Sequence, residues 1–276
     1  MRERAISAVG IVAVVAIALV FGAWGAVAVA TVLAVLAGRE ALDLLARTGR
    51  AVLPAAGILA TGIAAISIAV LPDPVAPVAA IVVILGIVAL WRPDPVEGFG
   101  AWSTTAFGVL YVAALGFVGR ASVYGPPIAA DAPLAGIGAE RAMLVLLIAA
   151  VWSFDTGAYL VGRAIGRRPF FSHISPKKTA EGVAGGLVVA TLAVAFVLWL
   201  IGRSPLEALL LGPLLGIAAQ AGDLAESMLK RSAGAKDSGT LIPGHGGFLD
   251  RTDSFLFAAP ALVAVVALAD LAGLLG

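Results

Sequence analysis

Apolar residues run along this chain in long blocks, separated by short stretches rich in Pro, Gly and charge. A helix needs about 20 largely apolar residues to cross a ~30 Å hydrocarbon core, so each block predicts a spanning helix. The blocks are 5–21, 24–37, 51–71, 75–91, 101–120, 139–162, 182–201, 206–229 and 253–275. The expected fold class is all-α: a polytopic integral membrane protein of about nine transmembrane helices, or eight if 5–37 acts as one unit. That first stretch is long for one upright helix and short for two. Both its flanks are basic, with Arg2 and Arg4 before and Arg39, Arg47 and Arg50 after, so a hairpin turning at "GAWG" (22–25) is expected. A cleaved leader ending at "AVAVA" is disfavoured, because the apolar run continues past that point.

Composition agrees with the pattern. Of the 276 residues, 61% are hydrophobic and 13% charged, about half the charge of a soluble domain. The absence of cysteine excludes disulfides, thiolate metal sites and a Cys nucleophile. The net charge of +1 is uninformative, but its placement is not. With the N-terminus in the cytoplasm, segments 38–50, 92–100, 163–181 and 230–252 fall on the cytoplasmic side. Of the 18 Lys and Arg residues only Arg120, Arg141 and Arg203 then lie outside, which is the asymmetry of the positive-inside rule. Arg141, near the outer end of its span, is read as a snorkelling structural residue.

Two of the cytoplasmic segments carry chemistry. In "SHISPKKTAEGVAGG" (172–186), Ser175 and Pro176 read as an N-cap and first helical residue, with Lys177 and Lys178 in the first turn. Cations there oppose the helix dipole unless an anion joins them, so Ser175, Lys177, Lys178 and Thr179 are candidate phosphate ligands. Gly182, Gly185 and Gly186 offer a small face for a close helix neighbour. Further on, Gln220, Asp223, Ser227 and Lys230 recur at spacings of 3, 4 and 3 and share one helix face. The loop "SAGAKDSGTLIPGHGGFLDRTDS" (232–254) follows, and its Gly244, Gly246 and Gly247 can present backbone N–H groups to an anion. His245 between them is a candidate phosphate donor or, less in keeping with its neighbours, a metal ligand. Asp155, about 11 Å inside the sixth span at 1.5 Å per residue, needs a partner or a wet cavity.

Lys177, Lys178, Lys230, Arg231, Lys236 and Arg251 beside a glycine-rich loop suit a polyphosphate. Asp223 and Asp250 would repel one unless a hard divalent cation stands between, and Mg²⁺ favours one or two carboxylates plus phosphate oxygens. The combination points to metal-assisted phosphoryl or nucleotidyl transfer.

The run Ser227-x-Leu229-Lys230-Arg231-x4-Lys236-Asp237-x-Gly239-x2-Ile242-Pro243-x-His245-Gly246-Gly247-Phe248-x-Asp250-Arg251-Thr252-Asp253 resembles the signature of the phosphatidate cytidylyltransferases (CDP-diacylglycerol synthases). "SPKKTAEG", "WSFDTGAY" and Gly222-Asp223 are similar to the same family's catalytic half, whereas 1–138 matches only as generic membrane helices. The resemblance implies transfer of the cytidylyl group of CTP to phosphatidic acid, releasing pyrophosphate. It further implies Mg²⁺, with a second cation as an open alternative, and a homodimer in the bacterial inner membrane with its site on the cytoplasmic side. No nucleic-acid partner is expected.

On that reading Asp223, Lys230, Arg231, Lys236, Asp250 and Arg251 are catalytic. Ser175, Lys177, Lys178, Thr179, Ser227, Asp237, His245, Gly246, Gly247 and Asp155 bind substrate, and Asp223, Asp250 and Asp253 hold metal. Segment 1–138 would supply lipid-facing helices and dimer contacts, and 139–276 the catalytic region, the two making one structural unit. The alternatives are a CTP-dependent lipid-alcohol kinase, a cytidylyltransferase acting on another lipid and, more remotely, a transporter. The last is disfavoured because the charge gathers at one face and no inverted repeat is visible.

Overall fold

The computed structural model describes residues 2–125, 128–242, 244 and 246–272. Ten α-helices account for most of them: α1 (Arg2–Val20), α2 (Gly22–Arg47), α3 (Pro54–Val70), α4 (Val75–Ala89), α5 (Pro95–Ala113), α6 (Gly116–Val123), α7 (Ala139–Ile165), α8 (Ala180–Leu200), α9 (Ala208–Ser232) and α10 (Leu249–Leu271). Among the described residues, extended pairing is confined to two isolated bridges, Pro169 with Thr179 and Ile242 with Gly246. The polytopic all-α class holds.

The apolar blocks mark the helices well and their ends less well. Among the described residues, six units are long and apolar enough to cross a membrane: Gly22–Arg47, Pro95–Val123, Ala139–Ile165, Ala180–Leu200, Pro205–Ser232 and Leu249–Leu271. The blocks at 51–71 and 75–91 become helices of 17 and 15 residues, clipped by the prolines that bound them. Segment 38–50, expected as a loop, is largely the continuation of α2 to Arg47. "GREALDLLAR" is polar enough to end an apolar run, yet it consists mostly of strong helix formers. The turn expected near 22–25 lies at Phe21 and Gly22. Gly22 takes a φ of +61°, which costs glycine little, and α1 packs back on α2.

Small residues set the packing. Along α2, Ala26, Ala30, Ala34, Ala37 and Ala41 form one fully buried stripe at helical spacing. This lets α3, α5, α6 and α10 approach α2, which becomes a central element. Between α7 and α8 the expected glycine face is realised. Gly157 lies against Gly186 and Gly162 against Gly182, so that a Cβ on Gly186 would meet the Phe154 carbonyl at 2.8 Å. Around this seam α7, α8, α9 and α10 share a core that includes Leu147, Phe154, Leu198 and Leu215. A second core joins α3, α4 and α5, and a third ties α2 to α10 through Ala37, Ala41, Leu44, Leu249 and Leu256.

At one end of the bundle the three basic arginines expected outside act as clamps. Arg141 donates to the carbonyls of Leu19 (2.7 Å) and Val20 (3.2 Å), capping α1, and pairs with Glu140. Arg120 grips the carbonyls of Leu71 (2.7 Å) and Pro72 (3.0 Å). Arg203 pairs with Glu207 one turn on. The chemically rich loops gather at the other end.

Candidate active site

Helix α9 carries the polar stripe expected of it. Gln220, Ser227 and Lys230 are buried, and Asp223 is partly so. The Asp223 carboxylate accepts from the Lys178 ammonium at 2.6 Å and from the Ser227 hydroxyl at 3.3 Å. One turn further, Lys230 lies between two carboxylates, donating to Asp250 Oδ1 at 2.6 Å and pairing with the fully buried Glu226. Gly222 abuts the carbonyl of Asp253, so α9 and α10 cross with backbones nearly touching and Asp223 and Asp253 face the same region.

Asp250 organises the loop before α10. While Oδ1 takes Lys230, Oδ2 accepts from Ser238 N (2.8 Å), Ser238 Oγ (2.9 Å) and Gly247 N (2.8 Å). Gly244 and Gly246, at φ +74° and +80°, close a tight turn sealed by Ile242 N donating to Gly246 O at 2.9 Å. Gly246 and Gly247 thus serve the loop's own geometry, and Gly247 N–H is already given to Asp250. Lys236, Asp237 and Arg251 are exposed. His245 lies outside the described residues.

The first loop differs from expectation in its capping. Helix α8 starts at Ala180, and its N-cap is Thr179, whose Oγ1 accepts from Gly182 N at 3.2 Å. Ser175 instead opens a turn in which its carbonyl accepts from Lys178 N at 3.2 Å. Ser-Pro suits the first two positions of a β-turn as well as a helix start, and the β-branched Thr179 in extended conformation takes the cap. Lys177 and Lys178 therefore precede the helix, and Glu181 sits in its first turn, accepting from Arg167 N and Arg168 N at 3.0 and 3.1 Å. Lys177 is exposed, while Lys178 reaches across to Asp223. Arg231 joins the loops by donating to Ile174 O (3.4 Å) and Ala235 O (2.9 Å).

Asp250, Arg251 and Asp253 border a cavity of about 650 Å³, whereas Lys178, Asp223, Lys230 and Arg231 lie outside its lining. Val14, Ala26, Leu33, Val118, Leu144 and Ile148 make most of its wall apolar, and Asp155, Asp250, Arg251 and Asp253 stand in it as polar groups. Asp155 lies in the wall of this cavity and is exposed rather than enclosed in the bundle. The wall draws on α1, α2, α6, α7 and α10, so both halves of the chain build it.

The donor set suits a hard cation, because the acidic oxygens of Asp223, Asp250 and Asp253 are of the kind Mg²⁺ selects. Among the described residues no three His, Cys, Asp or Glu come together as a ready-made cage. Asp223 and Asp250 are each held by a lysine ammonium at 2.6 Å. A metal on either would have to take over part of the lysine's place, with phosphate oxygens completing its shell.

Residues 2–269 match the model of the cytidylyltransferase family. The chain belongs to that family. Among similar proteins, the phosphatidate cytidylyltransferase of Bacillus subtilis (strain 168) is 49% identical over 121 residues, covering 43% of this chain and 45% of that protein. That of Synechocystis sp. is 49% identical over 128 residues, covering 45% and 43%. That of Staphylococcus haemolyticus is 46% identical over 114 residues, covering 41% and 44%. The matched stretch thus spans less than half the length of each of these relatives.

For this cytidylyltransferase-family chain the sequence reading missed three residues that the structure brings to the site: Glu226, Ser238 and Glu40. Glu226 was findable, since it precedes Lys230 by four positions, the favoured order for a helical ion pair. Ser238 follows the exposed Lys236-Asp237 pair and carries no motif signal of its own. Glu40 accepts from Ser238 Oγ (2.9 Å), Phe248 N (3.1 Å) and Leu249 N (2.9 Å), partners about two hundred residues away. Nothing local in the sequence announces it.

Proposed function

We propose that this chain transfers the cytidylyl group of CTP to phosphatidic acid, forming CDP-diacylglycerol and pyrophosphate. The observation that carries the reading is the cavity, apolar along most of its wall and bordered by Asp155, Asp250, Arg251 and Asp253, with Leu241, Ile242 and Phe248 of the signature loop also in its wall. Such a space suits an amphiphile whose chains lie among hydrocarbon side chains while its phosphate meets charge. The similarity to proteins named phosphatidate cytidylyltransferase supports the same choice of substrates.

In the proposed reaction a lipid phosphate oxygen attacks the α-phosphorus of CTP. A new P–O bond forms, the bond from the α-phosphorus to the bridging oxygen breaks, and pyrophosphate leaves with the electron pair. The nucleophile is already largely ionised at neutral pH, so no protein base is required. The barrier is repulsion between two polyanions, which positioned cations lower. Lys177, Arg231, Lys236 and Arg251 would neutralise triphosphate and leaving pyrophosphate. Lys178 and Lys230, held now by Asp223 and Asp250, can turn to phosphate when a cation relieves those carboxylates. Asp223, Asp250 and Asp253 would hold Mg²⁺, which when bound supplies charge neutralisation at phosphate oxygens.

The site is proposed to face the cytoplasm of a bacterial inner membrane, where CTP is available, and the family resemblance supports a homodimer. The test is CTP consumption by purified protein, with phosphatidic acid and a polyprenol offered in parallel. The proposal expects a CDP-lipid from phosphatidic acid alone. Phosphorylated polyprenol with CDP release would instead make the chain a CTP-dependent lipid kinase.

A further inference from the structure

Glu40 lies on α2, far in sequence from the signature loop, yet its side chain enters the base of that loop. The residue is 4% exposed. Its Oε1 accepts from Phe248 N at 3.1 Å, and its Oε2 from Leu249 N and Ser238 Oγ, both at 2.9 Å. The two amides belong to the start of α10, where Phe248, the residue in the N-cap position, supplies no capping side chain of its own. Free N–H groups at a helix start need acceptors, and an anion there is favoured by the helix dipole. Glu40 provides both from another helix.

The loop is shaped around this carboxylate. A Cβ on Gly239 would stand 2.5 Å from Glu40 Oε1, and one on Gly247 would collide with Glu40 Oε2. Ser238 Oγ lies 2.9 Å from Glu40 Oε2 and 2.9 Å from Asp250 Oδ2. One hydroxyl proton is therefore shared between two carboxylates, and Asp250 continues the chain to Lys230 and Glu226. A carboxylate accepts everywhere and donates nowhere, so it matches three converging donors. A Gln amide would turn its NH₂ toward at least one of them. Glu40 does not line the cavity, whereas its partner Phe248 and the Ser238-linked Asp250 do.

We propose that Glu40 is a positioning residue for the transfer site, fixing the loop at 238–239 and 247–249 so that Asp250, Arg251 and Lys236 face the substrates. The proposal rests on the cytidylyltransferase reading above for its activity arm only.

The experiment compares wild type, Glu40→Gln, Ser238→Ala and the double variant, purified in detergent. Two quantities are read: hydrogen exchange of peptides spanning 236–249, and kcat and KM for CTP with phosphatidic acid. Loss of one hydrogen bond to a charged group predicts exchange about tenfold faster or more, confined to 236–249, in Glu40→Gln. It also predicts a fall in kcat/KM for CTP of about tenfold or more, and a double variant no worse than Glu40→Gln, since both act through one chain of contacts. A purely structural carboxylate would loosen the bundle generally and leave the parameters of the folded fraction unchanged. A folded Glu40→Gln with wild-type exchange at 236–249 and wild-type kcat and KM overturns the proposal. If Glu40→Gln fails to fold, Ser238→Ala decides it: unchanged exchange and kinetics there overturn it as well. Wild-type protein inactive with these two substrates refutes the functional reading instead, and the exchange arm then decides the positioning role by itself.

Discussion

Lys230 shows how this site handles charge before any ligand arrives. It is 9% exposed and is held by Asp250 and Glu226, with Asp250 also taking three donors from Ser238 and Gly247. Removing one member of a buried pair leaves its partner's charge uncompensated, which costs about 3–5 kcal/mol. Lys230→Met should therefore lower the thermal midpoint well beyond what an exposed lysine such as Lys236 would cause when changed to Met, typically within about 0.5 kcal/mol. Lys236→Met should instead leave the midpoint unchanged and raise KM for CTP, as measured in steady-state assays. Equal midpoint losses in both would mean that the buried network has no special weight. At this scale the sequence was readable where chemistry follows spacing. Asp223, Ser227 and Lys230 declare themselves by helical period, whereas Glu40 depends on contacts across the fold, and Ser175 misled because Ser-Pro begins turns and helices alike.

At the scale of elements, glycine seams hold the site's walls in place. Gly186 meets the Phe154 carbonyl, Gly182 meets the Ala158 carbonyl, and Gly222 meets the Asp253 carbonyl. In lipid the association of helices relies on van der Waals contact and small residues, because surrounding acyl chains are as apolar as Leu. Overpacking a close contact costs about 1–3 kcal/mol or more. Gly186→Leu should separate α7 from α8, lower the thermal midpoint and reduce activity, because Asp155 and Lys178 sit at that pair of helices. Val188→Leu, two residues on and exposed on α8, should change neither. The three glycines of "EGVAGG" forecast this contact correctly. The length of α2 was less legible, since hydropathy marks where a chain leaves the apolar core and helix propensity marks where the helix ends.

For the whole molecule, the two loops and the C-terminal end of α2 meet at one end of the bundle, and Arg120, Arg141 and Arg203 clamp the other. The chain has no cysteine, so a single introduced thiol is a clean reporter of sidedness. In intact cells Lys236→Cys should resist a membrane-impermeant maleimide until the membrane is opened, and Arg203→Cys should react directly. The reverse pattern would invert the topology. The class of the fold was open to reading because membrane thickness imposes a length on every crossing, a constraint that acts locally along the chain. The cavity was not, because its wall is assembled from α1, α2, α6, α7 and α10 and no segment carries its outline.

The central claim is that Asp250, at the polar end of that cavity, and Asp223, paired with Lys178, enable attack of a lipid phosphate on CTP. The direct measurement is Mg²⁺-dependent pyrophosphate release from CTP and phosphatidic acid by purified wild type, Asp223→Asn and Asp250→Asn. The account predicts robust release by wild type and losses on the order of 100-fold or more in each folded variant. Full activity in both variants would contradict it.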